Sequence, residues 1–312
     1  MGNIMAQRIV SNLRKNLENQ ARRFLLKHYG GIGENKTKAA DKIHSTTTLR
    51  KHVIDIAKAA EAMGVKRLKH ITPDMAQHYL NQRKELNIAQ GTLNNERNYL
   101  ERVVFYKDRT KKLSNPIATQ RQKKALKDTN RAYTKEQIDL IKKHQFPHNR
   151  FATELAYISG LRAQELLTIQ RINEATISPH RIWRDDRFVG LSGVKYIVCG
   201  KNGLYREVIF PKEMAEKLEQ HRLDEPRIVY DNGAKIQQFY NIAGGHNFSE
   251  SFSSASKRVL GWSLGAHGLR FSYAQHRIDN GITDMTYLDI KSIISQELGH
   301  FRPDITERYL KP

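Results

Sequence analysis

The chain has 312 residues, of which 53 are Lys or Arg and 32 are Asp or Glu, giving a net charge of +21. That length accommodates two domains of ordinary size, and a positive surplus so large calls for a polyanionic partner, nucleic acid above all, because a phosphate array neutralises it and steers the protein inward. The single cysteine, Cys199, excludes an internal disulfide and a CxxC zinc site, and neither a bilayer-length apolar run nor a signal core is present, so the expectation is a soluble cytoplasmic chain with no membrane partner.

Residues 1–44 read as an N-terminal arm, in which Leu13, Leu17, Phe24 and Leu25 line one face of a short helix before the glycines of YGGIGENKTKAADK stop it. Three helical patterns follow. Residues 47–63 place Leu49, Val53, Ile56, Ala60 and Met63 at helical spacing, with Thr47 or Thr48 as N-cap and Gly64 beyond the end. Residues 72–86 open with Thr72 as N-cap and Pro73 at the first helical position. Residues 91–107 put Leu93, Leu100, Val103 and Val104 on one face and Asn94, Arg97, Asn98 and Arg102 largely elsewhere. The pattern predicts a small all-helical domain over 45–108, whose polar faces carry donors for phosphate and base edges.

A basic connector spans 109–131. Lys107, Arg109, Lys111, Lys112, Arg121, Lys123, Lys124, Lys127 and Arg131 stand there or at its border against Asp108 and Asp128, and Asn115-Pro116 breaks any continuous helix. It reads either as an ordinary charged linker or as a strap across a phosphate backbone, and the charge of the whole chain favours the strap.

A second domain is expected over 132–312. Thr134 with Glu136 and Gln137 marks its first helix start. VKYIVCG (194–200) and YREVIF (205–210) are β-rich runs bridged by Lys201-Asn202-Gly203-Leu204, whose Asn-Gly is a hairpin signal. Beyond the hairpin the pattern reads as helical to the end. The fold class is therefore mostly α with a small β-sheet.

Three segments of this half carry groups suited to phosphodiester transfer: SGLRAQELLTI (159–169) with Arg162, HGLRFSYAQHRI (267–278) with His267 and Arg270, and LGHFRPDITERYL (298–310) with His300 and Tyr309. Any one of them is weak alone. In this order, with Tyr309 nine residues after His300, the chain resembles the tyrosine recombinases, including the phage integrases and Xer recombinases, over roughly 45–312.

The resemblance implies a two-domain DNA clamp, with a SAM-like helical core-binding domain and an α+β catalytic domain. It implies strand cleavage through a 3′-phosphotyrosine at Tyr309, rejoined by a DNA hydroxyl, for the integration or excision of a mobile element. The chemistry fits the residue types. A nucleophile that stays on phosphorus conserves the bond energy, and two arginine forks, Arg162 and Arg270, can clamp the non-bridging oxygens. By the same analogy His267 and His300 donate to that phosphate and manage the tyrosine proton. Lys201 on the hairpin turn protonates the departing 5′ oxygen, with Lys195 as its rival, and Glu165 supports Arg162. Arg97, Lys111, Lys112, Lys123 and Lys124 are the DNA-binding candidates outside the catalytic set. The partners implied are double-stranded DNA with a specific core site, a protomer pair on each site, a tetramer on synapsed DNA, and accessory DNA-bending proteins. No cofactor or metal is implied: no GxxxxGK[ST] loop occurs, and Asp185-Asp186 lacks the further carboxylates of a two-metal site.

The chain departs from compact relatives in three places. Residues 172–193 read as an insertion or an extended strand pair, the interval from Arg270 to His300 is long, and three residues follow Tyr309. A tail that docks on a neighbouring protomer is thus expected to be absent, shortened or replaced by another surface such as the arm. Tyr205, Tyr273 and Tyr287 are rival nucleophiles without the spacing from His300. The competing functions are a catalytically decayed DNA-binding regulator and a type IB topoisomerase-like enzyme that relaxes supercoils.

Overall fold

The computed structural model describes residues 2–32, 41–86, 88–115, 131–282 and 285–310, with backbone alone for 2–11, 280 and 281. They form two compact units, one of the described residues up to 115 together with 232–234, the other of the remaining residues from 131 on. Among the described residues no helix is long and apolar enough to cross a membrane.

The first unit is helical: α1 (Gly2–Tyr29), α2 (Thr46–Ala62), α3 (Pro73–Glu85) and α4 (Gln90–Val104). Ser45, rather than Thr47 or Thr48, caps α2 by accepting from Thr48 N–H, and Thr72 caps α3 by accepting from Met75 N–H ahead of Pro73. The N-terminal segment differs from a separate arm. Leu17, Ala21 and Leu25 recur every four residues, so they form one stripe along α1, and all three are fully buried with Ile56, Ala60 and Leu100. Burying each of those leucines is worth about 1.5–3 kcal/mol, which makes α1 part of this core.

The start of the basic connector is also fastened here. Leu113 is buried, Leu113 N–H donates to Glu101, Ser114 N–H donates to Gln77, and Arg109 pairs with Asp41. Lys111 and Lys112 are exposed, with Nζ 3.7 Å from Asp108 Oδ2 and 3.6 Å from Glu101 Oε2 respectively. Arg97 lies beside Glu101 at 3.8 Å, which ties part of its charge within the unit. Arg121, Lys123, Lys124 and Lys127 lie outside the described residues.

The second unit contains α5 (Lys135–Lys143), α6 (Pro147–Ser159), β1 (Gln170–Arg171), β2 (Val194–Cys199), β3 (Tyr205–Phe210), α7 (Lys212–Glu219), β4 (Arg222–Asp231), β5 (Ala234–Tyr240), α8 (Gly245–Leu260), α9 (Gly268–His276), α10 (Tyr287–Glu297) and α11 (Pro303–Leu310). Thr134 and Gln137 close a capping box on α5. Strands β1, β2 and β3 form an antiparallel sheet in that order, with Val194 opposite Phe210 and Cys199 opposite Tyr205. Positive φ at Asn202 and Gly203 turns the β2–β3 hairpin.

Two expectations are corrected. The chain is not helical throughout after the hairpin, because β4 and β5 form a second ribbon. Its turn is again Asn-Gly, with φ of 49° at Asn232 and 82° at Gly233. Solvent reaches most of β4, so no apolar alternation announced it. Residues 172–193 are not a strand pair either; they run as successive turns between β1 and β2.

One core of this unit joins α5, α6, β2, β3 and α8, and a neighbouring one joins α9, α10 and α11 and includes Tyr309. The candidate site lies where the two meet.

Candidate active site

Glu165 organises the charged residues. Helix α6 ends at Gly160, whose φ of 60° reverses the chain; a Cβ there would stand 2.7 Å from the Tyr273 ring and 2.8 Å from Leu298 Cδ2. The next turn folds Glu165 back onto Arg162, which donates to it from its backbone N–H at 2.8 Å and from NH1 at 2.6 Å. Arg206 NH2 from β3 donates to Glu165 Oε2 at 2.8 Å, and Arg270 NH1 from α9 lies 3.6 Å from the same oxygen. Burial alone would raise the Glu165 carboxyl, but Arg206, Arg162 and Arg270 outweigh it and hold it well below the usual range. Three guanidinium groups thus face one carboxylate.

Arg270 is fully buried and anchored through its two terminal nitrogens. NH1 donates to Gly160 O, and NH2 donates to Leu298 O at 2.7 Å and lies 3.3 Å from His300 Nε2. Burial and then Arg162 pull its pKa down to about 9, so it keeps its charge at neutral pH. Its Nε and His300 Nδ1 are buried without a hydrogen-bond partner, a costly arrangement unless something fills it. Arg162 remains 25% exposed and forms the open edge of the group.

Tyr309 on α11 completes the cluster. Its hydroxyl lies 3.1 Å from His267 Nε2 and 3.4 Å from His300 Nε2, and its ring packs 4.4 Å from that of Phe271. His267 occupies the N-cap position of α9 but makes no side-chain cap bond; its ring meets Tyr309 instead. His267 keeps an exposed face, yet desolvation of its ring, with Arg270, Arg131 and Arg162 nearby, lowers its pKa to about 4. Burial, with Arg270, Arg162 and Arg206 nearby, lowers that of His300 to about 2. Both rings are neutral at pH 7, so each has one donor and one acceptor nitrogen.

Five sequence-derived positions, Arg162, His267, Arg270, His300 and Tyr309, therefore meet with Glu165 in one place. Lys201 sits beside it, exposed on the β2–β3 turn. The preceding Gly200 approaches so closely that a Cβ there would stand 2.8 Å from Glu165 Oε1 and 3.6 Å from Arg162 NH1. Lys195 instead pairs with Glu207 of β3 at 3.3 Å across the hairpin. Of the other tyrosines, Tyr273 donates to Glu297 in the core, Tyr287 to Glu307 at the surface, and Tyr205 begins β3. Asp186 is held by Arg184. Sequence reading missed Arg206. The signal was its parity: in YREVIF it shares the inward register of Val208 and Phe210, where a charge requires a buried partner.

No family model matches the chain, and no curated protein matches it. Solved structures do. A lambda integrase (75–356) dimer bound to a COC′ core site aligns with a TM-score of 0.54 at 17% identity, covering 88% of this chain and 92% of that one. XerH site-specific recombinase bound to a palindromic difH substrate, in a post-cleavage complex, aligns with a TM-score of 0.51 at 15% identity, covering 95% and 93%. A lambda integrase tetramer bound to a Holliday junction gives 0.55 at 16% identity, covering 88% and 74%. At these identities the likeness is one of fold, and the fold of this chain is that of the tyrosine recombinases.

Proposed function

We propose that this chain is a site-specific DNA recombinase that cuts and rejoins DNA through a covalent link to Tyr309, in the service of a mobile element. The observation that carries the reading is the placement of the Tyr309 hydroxyl within 3.4 Å of two neutral imidazoles, beside a group of three arginines with one carboxylate. A phosphodiester anion suits that surplus of positive charge and the unpartnered donors around it.

Tyr309 Oη attacks phosphorus and gives its proton to an acceptor nitrogen of His267 or His300. Charge building on the non-bridging oxygens is met by Arg162 from the open edge and by Arg270 from below. The bond to the 5′ oxygen breaks, and Lys201 on the adjoining turn gives that oxygen its proton. The product is a 3′-phosphotyrosyl strand and a free 5′ hydroxyl, and attack by a 5′ hydroxyl reverses the sequence. Glu165 orients Arg162 without exchanging protons, since its carboxylate stays ionised. The units act as a clamp: 45–108 binds the core site, 109–131 follows the backbone, and 132–312 performs the chemistry. Paired protomers on each site and a tetramer on synapsed DNA are the working assembly, with accessory DNA-bending proteins as further partners.

The test is a nicked suicide substrate, from which the short 5′ fragment escapes after cleavage. Wild-type chain should form an adduct resistant to denaturant, in chelator as well as in magnesium, with the tag on the Tyr309 peptide by mass spectrometry. Tyr309→Phe should bind DNA and form none. An adduct on another tyrosine, or cleavage without adduct that requires magnesium, would refute the reading.

A further inference from the structure

The segment Ser178–Val189, for which the proposed reaction has no use, is built around the turn that joins His300 to the tyrosine helix. Phe301 in that turn has a φ of 55°, a left-handed conformation unusual for a bulky residue. Its ring is held from two sides. Trp183 packs on it edge-to-face with centroids 4.6 Å apart, and the Arg181 guanidinium lies 5.1 Å from its centroid.

Trp183 is itself fixed, because its indole N–H donates to Ser178 O at 3.1 Å and Arg187 stacks 4.7 Å from its ring. The segment is pinned to rigid elements at both ends. Ser178 exchanges hydrogen bonds with the backbone of Tyr205 at the start of β3, and Phe188 N–H donates to Glu297 at the end of α10. In the middle, Gln296 accepts from Arg184 N–H at 2.7 Å and donates to Ile182 O at 3.3 Å.

We infer that Ser178–Val189 is a positioning collar: through Trp183 and Arg181 it holds Phe301 left-handed and so sets the direction in which α11 presents Tyr309 to His267 and His300. The inference rests on the recombinase reading for its consequence in catalysis, but its mechanical content does not. No hydrogen bond or ring contact joins Trp183 to Arg162, Arg270, His267 or His300; its ring meets Phe301 and Arg187, and Phe301 is its contact in the turn before α11. An error of about 1 Å in a nucleophile's position is enough to cost up to about a hundred-fold in rate.

Single-turnover adduct formation at saturating suicide substrate, together with amide hydrogen exchange of residues 303–310 without DNA, tests this. Trp183→Ala should slow adduct formation by about ten- to a hundred-fold while the Kd for intact DNA changes less than about two-fold. It should also speed exchange in α11. Trp183→Phe, which keeps an aromatic edge on Phe301, should recover most of the rate. Because the effect passes through the Phe301 ring, Trp183→Ala added to Phe301→Gly should cost nothing further.

A wild-type adduct rate in Trp183→Ala, a loss of rate matched by loss of DNA binding, or multiplicative effects in the double variant would overturn the collar. A wild-type chain that forms no adduct overturns the recombinase reading instead, and the exchange measurement then decides the collar: faster exchange in Trp183→Ala upholds it and unchanged protection of α11 removes it.

Discussion

Arg206 NH2 donates to Glu165 Oε2 across 2.8 Å, and both side chains are 1% exposed. The pair joins β3 to the turn after α6, and a second nitrogen of Arg206 donates to Glu297 O at 2.5 Å at the end of α10. One buried guanidinium thereby fixes three of the elements that surround the site. Removing one partner of such a pair leaves the other charge buried and typically costs about 3–5 kcal/mol. Glu165→Ala, which leaves three arginines together, should lower the urea midpoint of the second unit by a corresponding amount. An unchanged midpoint would mean that water already solvates this cluster.

The two arginines proposed to clamp the phosphate should fail differently. Arg162 is partly exposed and holds only its own turn, so Arg162→Ala should keep DNA binding and stability while slowing cleavage by about two orders of magnitude, the effect of one lost transition-state donor. Arg270 also grips Gly160 O and Leu298 O, so Arg270→Ala should lose stability as well as rate. Lysine should rescue neither well, since it lacks the planar fork. Single-turnover cleavage and thermal melting, measured side by side, separate the two; near-normal cleavage by either alanine variant removes that arginine from the mechanism.

Lys201 makes a chemical prediction. If it supplies the leaving-group proton, Lys201→Ala should cleave ordinary DNA slowly but should recover on DNA with sulfur in place of the bridging 5′ oxygen. A thiolate departs without protonation, its conjugate acid having a pKa several units below that of an alcohol. Equal impairment on both substrates would give Lys201 a binding role only.

The two histidines make stability depend on pH. Folded His267 and His300 titrate at about 4 and about 2, against about 6.5 unfolded. Above pH 6.5 both states carry neutral rings and there is no linkage. Between 6.5 and about 4 the unfolded chain takes up protons that the folded chain refuses, so stability falls as pH falls, by about 1.4 kcal/mol per unit for half-buried His300 and by less for the more exposed His267, which solvent screens. Half-buried His52 in the first unit, lowered to about 4, adds the same trend there. Urea midpoints at pH 7.5, 6 and 5 should therefore decline in wild type and decline less in His267→Asn and His300→Asn. Equal slopes in all three would show that the site rings are protonated without penalty.

Salt tests the connector. Binding should weaken with a log–log slope of about −0.9 per phosphate neutralised. Lys111 and Lys112 are exposed with only long contacts to carboxylates, so replacing them with Gln should flatten the slope by about one unit for each that meets a phosphate. Replacing Lys123 and Lys124 as well should flatten it further. A slope unchanged by all four would make the connector an ordinary linker.

Much of this protein could be read from its residues in order. Local rules suffice for the caps at Thr72 and Thr134, the apolar faces of α2 and α4, and the Asn-Gly turn beside Lys201, because each involves neighbours within a few positions. The motif spacing also singled out the residues that meet around Tyr309. Tertiary structure decided the rest, where energy depends on partners far along the chain. The stripe Leu17, Ala21 and Leu25 became core because α2 covers it, while β4 escaped notice because solvent along most of its length leaves no burial pattern. Arg206 acquires its meaning only from Glu165, 41 positions away, and Trp183 only from Phe301. A sequence records each of those side chains singly, and the desolvation that makes their pairing matter exists only after the chain has folded.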